Sequence, residues 1–472
     1  MIWRIVCKDM LENILSLRFL LSMLLGIALF VAGSILFLDG YKTQMEDYWK
    51  QTNENLSTLR GRSDKLYRLA FCWQEVLRKP RPLAFCAEGF DKSLPSRFRF
   101  TMFTKELAGA GGRSNYILPH FSDIDWALIV SMIFSFVALV FTYDSICGEK
   151  ESGTLRLMLA GAVPRHTLLL GKYLAAMLTV GLSLLVGMLM SLILVLSSRD
   201  IAIPATDWLR LLILVLLAIL YLSIFVLLGI FVSARVARSA NSMVILLLFW
   251  VGLVILIPSL GRVISDMSLK GPTQMELQRS LQEAGKQVWD NADQYGERAG
   301  SMSSNLSWPG NNPPARARLK TAAIEARNRV LEDHHRRMLA QVFAGRNFTS
   351  FSPAVLYERV SEIAAGTGVN HCVSVYRQIG EYQADLNRYI HDVDALDPNS
   401  LHLIFDEEGC ARGWKAISHN PVDFETVPKF QEREPALGEF TKPAVWDVGL
   451  LGLFNAAFFA AAWISFTRYD VR

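Results

Sequence analysis

Long runs of apolar residues separated by charged segments are the dominant pattern along this chain. Six of these runs reach about 18 residues, the length that a helix needs to cross the hydrocarbon core of a bilayer. Lysine, arginine, aspartate and glutamate are absent from the middle of each run. The pattern therefore predicts six membrane spans, at residues 19–38, 126–143, 173–196, 209–232, 243–260 and 446–466.

The segments between the runs predict one amphipathic helix and two large insertions. Within residues 1–18, apolar side chains recur at helical spacing and charged side chains fill another face, as in a helix that lies in a membrane interface. Residues 39–125 are charged and show no strong period, so we expect an extracytoplasmic loop there. Residues 261–442 are long enough to form a domain, with long polar helices on either side of the loop GSMSSNLSWPGNNPP. A shorter helix is predicted between Pro353 and Gly366.

The expected fold class is an all-α polytopic membrane protein. It has six transmembrane helices, an N-terminal amphipathic helix and a large, mainly helical extracytoplasmic domain. Composition agrees, because the chain is 51% hydrophobic and 19% charged, whereas soluble domains carry about 25% charged residues. The net charge of +4 is spread along the chain, which argues against a nucleic-acid partner.

Basic residues in the short connections predict the orientation of the spans. Arginine and lysine are frequent before span 1, in the loop at residues 144–172 and after span 4, whereas residues 197–207 carry Arg199 alone. By the positive-inside rule, both termini and the 144–172 loop are cytoplasmic. A tryptophan with a neighbouring aspartate begins spans 2, 4 and 6, which predicts interfacial anchors with helix caps at Trp126, Trp208 and Trp446.

Four of the six cysteines fall in the extracytoplasmic segments as two pairs, Cys72 with Cys86 and Cys372 with Cys410. An oxidising compartment would favour a disulfide within each pair. Four free thiols, or pairing between the two insertions, are the alternatives.

The loop at residues 144–172 is longer than a hairpin between two spans requires. Ser152 or Thr154 can cap a short helix at residues 155–160. Its side chains, beginning with Leu155, are too apolar for an exposed helix. They require either a partner surface or burial under the membrane interface, and the residues alone favour neither.

The stretch YDSICGEKESGTLRLMLAGAVPRHTLLLGKY resembles the loop between the second and third spans of ATP-binding-cassette (ABC) type-2 exporter permeases. The pattern is an aspartate, Gly-Glu-x-Glu, Gly-Thr-Leu-Arg, Pro-Arg and a Gly-Lys that opens the third span. The matching residues are Asp144, Gly148, Glu149, Glu151, Gly153, Thr154, Leu155, Arg156, Pro164, Arg165, Gly171 and Lys172. The resemblance implies that this loop is a coupling helix, seated in a cleft of a separate ATPase subunit.

The resemblance also implies the partners and the location. Two ATPase subunits and a second permease, identical or related, would assemble with this chain in a bacterial cytoplasmic membrane. The sequence lacks G-x-x-x-x-G-K-[ST], so we expect no enzyme activity, with ATP and Mg²⁺ used by the partner and no cofactor bound directly. We predict no catalytic or metal site. The absence of charge at mid-span argues against a proton- or sodium-coupled transporter.

One feature departs from the common family pattern, because roughly 180 residues separate spans 5 and 6. The insertion resembles that of a subgroup of these permeases with large outer domains, and it leaves the substrate unassigned. The alternative hypothesis is an ATP-driven machine that acts on an extracytoplasmic partner without moving a solute.

Overall fold

The structure, a computed structural model, describes residues 2–89, 91, 97–106, 124–155, 164–198, 201–260, 274–295, 313–403, 416–433 and 437–468. The helices before the large insertion are α1 (Ile2–Ile14), α2 (Leu17–Arg62), α3 (Leu66–Phe71), α4 (Trp126–Val140), α5 (Cys147–Glu151), α6 (Arg165–Ser197), α7 (Ala205–Arg235) and α8 (Ser239–Leu260). The later helices are α9 (Gln274–Asp290), α10 (Pro313–Phe348), α11 (Pro353–Ala365), α12 (Val369–Asp394) and α13 (Leu437–Thr467). Three short strands are β1 (Gln74–Leu77), β2 (Arg97–Phe100) and β3 (Lys105–Glu106).

Five helices are long and apolar enough to cross a membrane, namely α2, α6, α7, α8 and α13. The apolar helix α4 is shorter, at Trp126–Val140, and lies in the same bundle. We number these six helices in chain order as spans 1 to 6, span 1 being the apolar part of α2. The end of the bundle that carries α5 is called the loop end, and the opposite end is called the head end.

Span 1 continues without interruption beyond the bundle, because α2 has 46 residues and is about 69 Å long. Its first turn is capped by the Ser16 side chain, which accepts a hydrogen bond from the Phe19 amide at 3.3 Å. The charged sequence predicts a loop from residue 39 onward, whereas the helix continues to Arg62. Residues 39–62 contain no proline and are rich in helix-forming side chains, which explains why the helix persists.

The two insertions form one head domain, which we define as the described residues of 39–106 and 274–433 apart from α11. The three strands are antiparallel in the order β1-β2-β3, with Gln74 opposite Phe100. Phe98 and Phe100 of β2 pack in one hydrophobic core with Leu386 and Ile390 of α12. The head domain therefore needs both insertions, and the longer one does not form its core alone.

Helix α11 belongs to the bundle rather than to the head domain. The Tyr357 ring stacks on Tyr221 of span 4, with ring centroids 4.7 Å apart, and Tyr221 lies near the midpoint of Ala205–Arg235. The Ser352 hydroxyl donates to the Leu253 carbonyl of span 5. The predicted helix is confirmed, since Ser352 caps it and Gly366 ends it at φ +76°. Its assignment to an extracytoplasmic domain does not match this position.

Two further expectations differ from the structure. Cys72, Cys86 and Cys372 are free thiols, so the disulfide between Cys72 and Cys86 is not formed, and Cys410 lies outside the described residues. Trp126 is not an exposed anchor, because only 5% of its surface is accessible and its indole nitrogen donates to Ser191 Oγ at 2.8 Å. The segment around Cys86 covers this end of span 2, where the Cys86 carbonyl accepts from the Ala127 amide.

Candidate functional site: the loop between spans 2 and 3

Helix α5 lies at the loop end, directly after span 2. Ser233 of span 4 caps it, since the Ser233 hydroxyl accepts from the backbone amides of Ile146 and Cys147 at 2.9 and 3.0 Å. Gly148 lies inside this helix. Gly153 follows the helix at φ +73°, a left-handed conformation that favours glycine.

Glu149 of α5 forms a buried ion pair with the start of span 3. The Lys172 ammonium lies 2.6 Å from the Glu149 carboxylate and 3.5 Å from Asp9 of α1, and only 6% of the Lys172 side chain is exposed. Burial raises the pKa of Glu149, and the charge of Lys172 opposes that shift. A Cβ atom on Gly171 would lie 2.8 Å from Ile5, so glycine allows α1 to lie against span 3.

The next two residues of α5 bind the ends of neighbouring spans. Glu151 accepts hydrogen bonds from the Ser239 amide at 3.0 Å and the Ser239 hydroxyl at 2.7 Å, which caps the first turn of span 5 and lowers the pKa of Glu151. The Lys150 ammonium donates to the Val236 carbonyl at 3.2 Å, after the last turn of span 4. Each charge has the sign that the helix dipole at its position favours.

The two sides of the loop reach spans 1 and 6. The Arg18 guanidinium at the start of α2 lies 2.8 Å from the Asp144 carboxylate. Arg165 at the start of α6 donates to the Thr467 carbonyl at 2.6 Å, at the end of span 6. Pro164 immediately precedes α6. The described part of the loop therefore contacts spans 1, 3, 4, 5 and 6, in addition to continuing from span 2.

Among residues 144–155, the exposed ones are Glu151, Ser152, Gly153 and Thr154, which we call the tip of the loop. Thr154 and Leu155 begin a further helical turn, in which Leu155 is 1% exposed and packs into the core of the bundle. Arg156 and the rest of the predicted short helix lie outside the described residues. Sequence reasoning expected Glu149 and Glu151 to contact the ATPase, and in this chain both carboxylates have internal partners.

Helix α11 contributes charged residues that sequence reasoning missed. Arg359 pairs with Asp447 of span 6 at 3.1 Å. Glu358 is exposed, and its carboxylate accepts from the Ser131 hydroxyl of span 2 at 3.4 Å. The spans themselves carry no charged residue at mid-span, but Glu358 of α11 lies at that depth. Glu358 stands in a polar insertion of the sequence, and only the packing of α11 against the spans brings it to that depth.

Spans 2 and 5 change to π-helix where α11 packs against them, over Ile129–Phe134 and Val251–Leu256. In span 5 the Ile257 amide donates to the Gly252 carbonyl, five residues earlier. If this i to i+5 pattern continued, the amide of residue 258 would donate to the Leu253 carbonyl. Residue 258 is a proline and has no amide hydrogen, so this hydrogen bond cannot form. The Ser352 hydroxyl supplies the missing hydrogen bond at 2.5 Å.

Comparison with known proteins identifies the class. Residues 3–302 match the family described as ABC-2 family transporter protein, so the chain belongs to that family and is an ABC transporter membrane subunit. The resemblance seen in the loop is confirmed at this level, and the family implies a membrane context.

Two curated relatives resemble part of the chain. A stretch of 80 residues is 34% identical to "Probable ABC transporter permease protein NosY" of Pseudomonas aeruginosa, and a stretch of 80 residues is 32% identical to the protein of the same name from Stutzerimonas stutzeri. Each match covers 17% of this chain and 29% of the relative.

Proposed function

We propose that this chain is the permease subunit of an ATP-driven exporter in a bacterial cytoplasmic membrane. The loop end and both termini would face the cytoplasm, where two ATPase subunits would bind and use ATP and Mg²⁺. A second permease, identical or related, would complete the pathway. The supporting observation is the set of loop contacts with spans 1, 3, 4, 5 and 6, because a displacement of the loop would act on all of them.

The exposed tip of the loop, Glu151–Thr154, is the proposed ATPase-binding surface. Glu149 has a different task, since its ion pair with Lys172 fixes α5 to span 3. Glu151 has two tasks, because it caps span 5 while remaining exposed at the tip. A force applied at the tip would reach spans 3 and 5 through these two carboxylates.

Replacement of Thr154 with arginine tests the binding surface. The added bulk and charge should prevent the ATPase from seating, so that the purified protein retains less than about one tenth of the associated ATP hydrolysis, equivalent to more than about 1.4 kcal/mol of binding. Thr43→Arg makes the same change at an exposed position of α2 in the head domain and serves as the matched control. The measurement is Mg²⁺-dependent ATP turnover of the tagged complex, with the ATPase identified by mass spectrometry. Equal turnover in both variants would contradict the proposed surface.

A second candidate is the ATP-driven machine that moves no solute. It is favoured by the direct connection of α11 to the head domain through Thr367. The Thr367 amide donates to the Glu362 carbonyl of α11 at 2.9 Å, the Asp91 amide donates to the Thr367 carbonyl at 3.1 Å, and the Thr367 hydroxyl donates to the Ala87 carbonyl at 2.6 Å. Movement of α11 would therefore act on the head domain. ATP-dependent flux in vesicles separates the candidates, because a machine would hydrolyse ATP without accumulating any offered solute.

A further inference from the structure

Helix α11 carries three charged residues, and two of them are paired within the chain. Arg359 pairs with Asp447 at 3.1 Å, and Glu362 pairs with Arg346 at 2.5 Å. Glu358 is different, because no basic side chain in the described ranges lies within ion-pair distance of its carboxylate. Its polar contact is the Ser131 hydroxyl at 3.4 Å, and the side chain is exposed.

The contacts of Glu358 place it near the middle of the bundle. Tyr357, the preceding residue, stacks on Tyr221 at the midpoint of span 4. The Tyr221 hydroxyl donates to the Ser131 carbonyl at 2.9 Å, and the Ser131 hydroxyl donates to Glu358. A carboxylate at this depth is costly when it faces lipid, so such groups face a protein partner or a water-filled pathway.

A second copy of this chain is a poor partner for the carboxylate. Two permeases related by an axis along the membrane normal would present the same residues at the same depth. The spans carry no lysine or arginine at mid-span. Arg359 of α11 and Arg346 beside it are already paired, with Asp447 and Glu362 respectively. The missing positive charge is therefore expected on a ligand.

The chemistry around Glu358 favours an organic cation over a metal ion. Calcium and magnesium need about six oxygen ligands, whereas one carboxylate and one hydroxyl meet here among the described side chains. A protonated amine needs only one carboxylate for a charge-assisted hydrogen bond. Met132, the residue after Ser131 in span 2, is an exposed apolar side chain, which suits an apolar body attached to the amine.

We propose that Glu358 is the counter-charge of a binding site in the membrane pathway for an amphiphilic ligand with a protonated amine. The site rests on the proposed permease function, which it deepens by naming a substrate class. Ser131 is its hydrogen-bonding neighbour, and α11 positions the carboxylate by its contacts with spans 2, 4, 5 and 6.

The test uses the permease and its ATPase in lipid nanodiscs. Dodecylamine and dodecanol share one alkyl chain and differ in charge, so both are titrated against ATP turnover below the concentrations that disrupt the disc. In the native protein, dodecylamine should reach its half-maximal effect at an about tenfold lower concentration than dodecanol, as expected for one charge-assisted hydrogen bond. Glu358→Gln should abolish that difference, whereas Glu381→Gln, at an exposed site of α12, should keep it.

A labelling experiment gives a readout that needs no ATPase. Dicyclohexylcarbodiimide, which reacts with carboxyl groups in apolar surroundings, should modify Glu358 in membrane vesicles, and dodecylamine but not dodecanol should slow the modification. An unchanged amine response in Glu358→Gln, or labelling that the amine does not slow, overturns the proposal. Loss of permease association in Glu358→Gln with an unchanged amine response would mean that a second copy covers Glu358. Failure to isolate an ATPase would contradict the proposed function alone, because the labelling still tests the site.

Discussion

Gly187 marks the closest approach of spans 1 and 3. A Cβ atom at this position would lie 2.4 Å from the Phe30 ring, whereas a Cβ atom on Gly181 in the same helix would meet nothing within 4 Å. Beside this contact, Ser191 shares a 2.6 Å hydrogen bond with Ser34. Small residues in span 3 therefore let span 1 approach closely, as small residues generally allow in membrane helices.

Gly187→Ala should weaken the contact between spans 1 and 3, because the buried Phe30 ring has to move. Overpacking of this kind costs about 1–3 kcal/mol. Gly181→Ala is the matched control, since the added methyl group meets no neighbour and removes a glycine from a helix. The measurement is the denaturation midpoint of the protein in detergent. Equal midpoints for the two variants would show that Phe30 does not limit the space at Gly187.

The charged residues of the loop show which site features a sequence can predict. The resemblance located the motif from Asp144 to Lys172 in the correct loop, because all of its residues lie within one continuous segment of the chain. It did not reveal that Glu149 pairs with Lys172 or that Glu151 caps span 5 at Ser239. Those partners lie 23 and 88 residues away, and only the packing of the spans brings them together.

At the scale of elements, span 5 and α11 are joined where a proline in span 5 meets the capping serine of α11. Pro258 leaves the Leu253 carbonyl without its helical donor, and Ser352 at the start of α11 provides one. Ser352 also caps α11 by accepting from the Val355 amide at 3.4 Å. Span 5 and α11 are thereby fixed to each other by one hydroxyl group.

Ser352→Ala should destabilise the contact between α11 and span 5 by about 1–3 kcal/mol, because it leaves a partly buried carbonyl without a donor. Adding Pro258→Ala should reduce this cost, since residue 258 then carries an amide hydrogen. Ser57→Ala, at an exposed position of α2, is the control and should have no effect. Denaturation midpoints of the single and double variants form the test, and additive effects would rule out the shared carbonyl.

The spans could be predicted from sequence because each buries an apolar surface long enough to cross the bilayer, a property local to each segment. Helix α11 could be predicted as a helix from its cap and its terminal glycine. Its position between the spans could not be, because Glu358, Arg359 and Glu362 make it resemble a helix of a water-exposed domain. Two of those charges are neutralised by Arg346 and Asp447, which lie outside the helix.

At the scale of the whole molecule, a buried polar cluster joins the two insertions of the head domain. Arg81 of the first insertion lies 2.7 Å from the Glu432 carboxylate of the second. The same guanidinium lies 3.4 Å from Nδ1 of His371, whose Nε2 is 3.8 Å from the Asp91 carboxylate. Burial, with the charges of Arg81, Arg78 and Arg210, lowers the pKa of His371 to about 3.

This lowered pKa predicts that acid weakens the head domain. In the unfolded chain His371 takes up a proton near pH 6.5, whereas in the folded chain it stays neutral to about pH 3, so its contribution to stability is present above pH 6.5 and falls on acidification. The loss from pH 6.5 to 5 is about 2 kcal/mol. His371→Gln should flatten the Tm profile across this range, and His391→Gln, at an exposed site, should leave it unchanged. An equally steep profile in His371→Gln would contradict the assignment.

The unbroken helix α2 can carry a movement from the loop end of the bundle to the head domain as one rigid body. It runs about 69 Å from the Asp144 contact at Arg18 to the head domain, with no proline to act as a hinge. A tilt of about 5° at the Arg18 end would sweep the far end through about 6 Å, if the helix turns as a rigid body. Under the proposed function, a nucleotide-driven displacement at one face of the membrane would reach the other face as a larger movement.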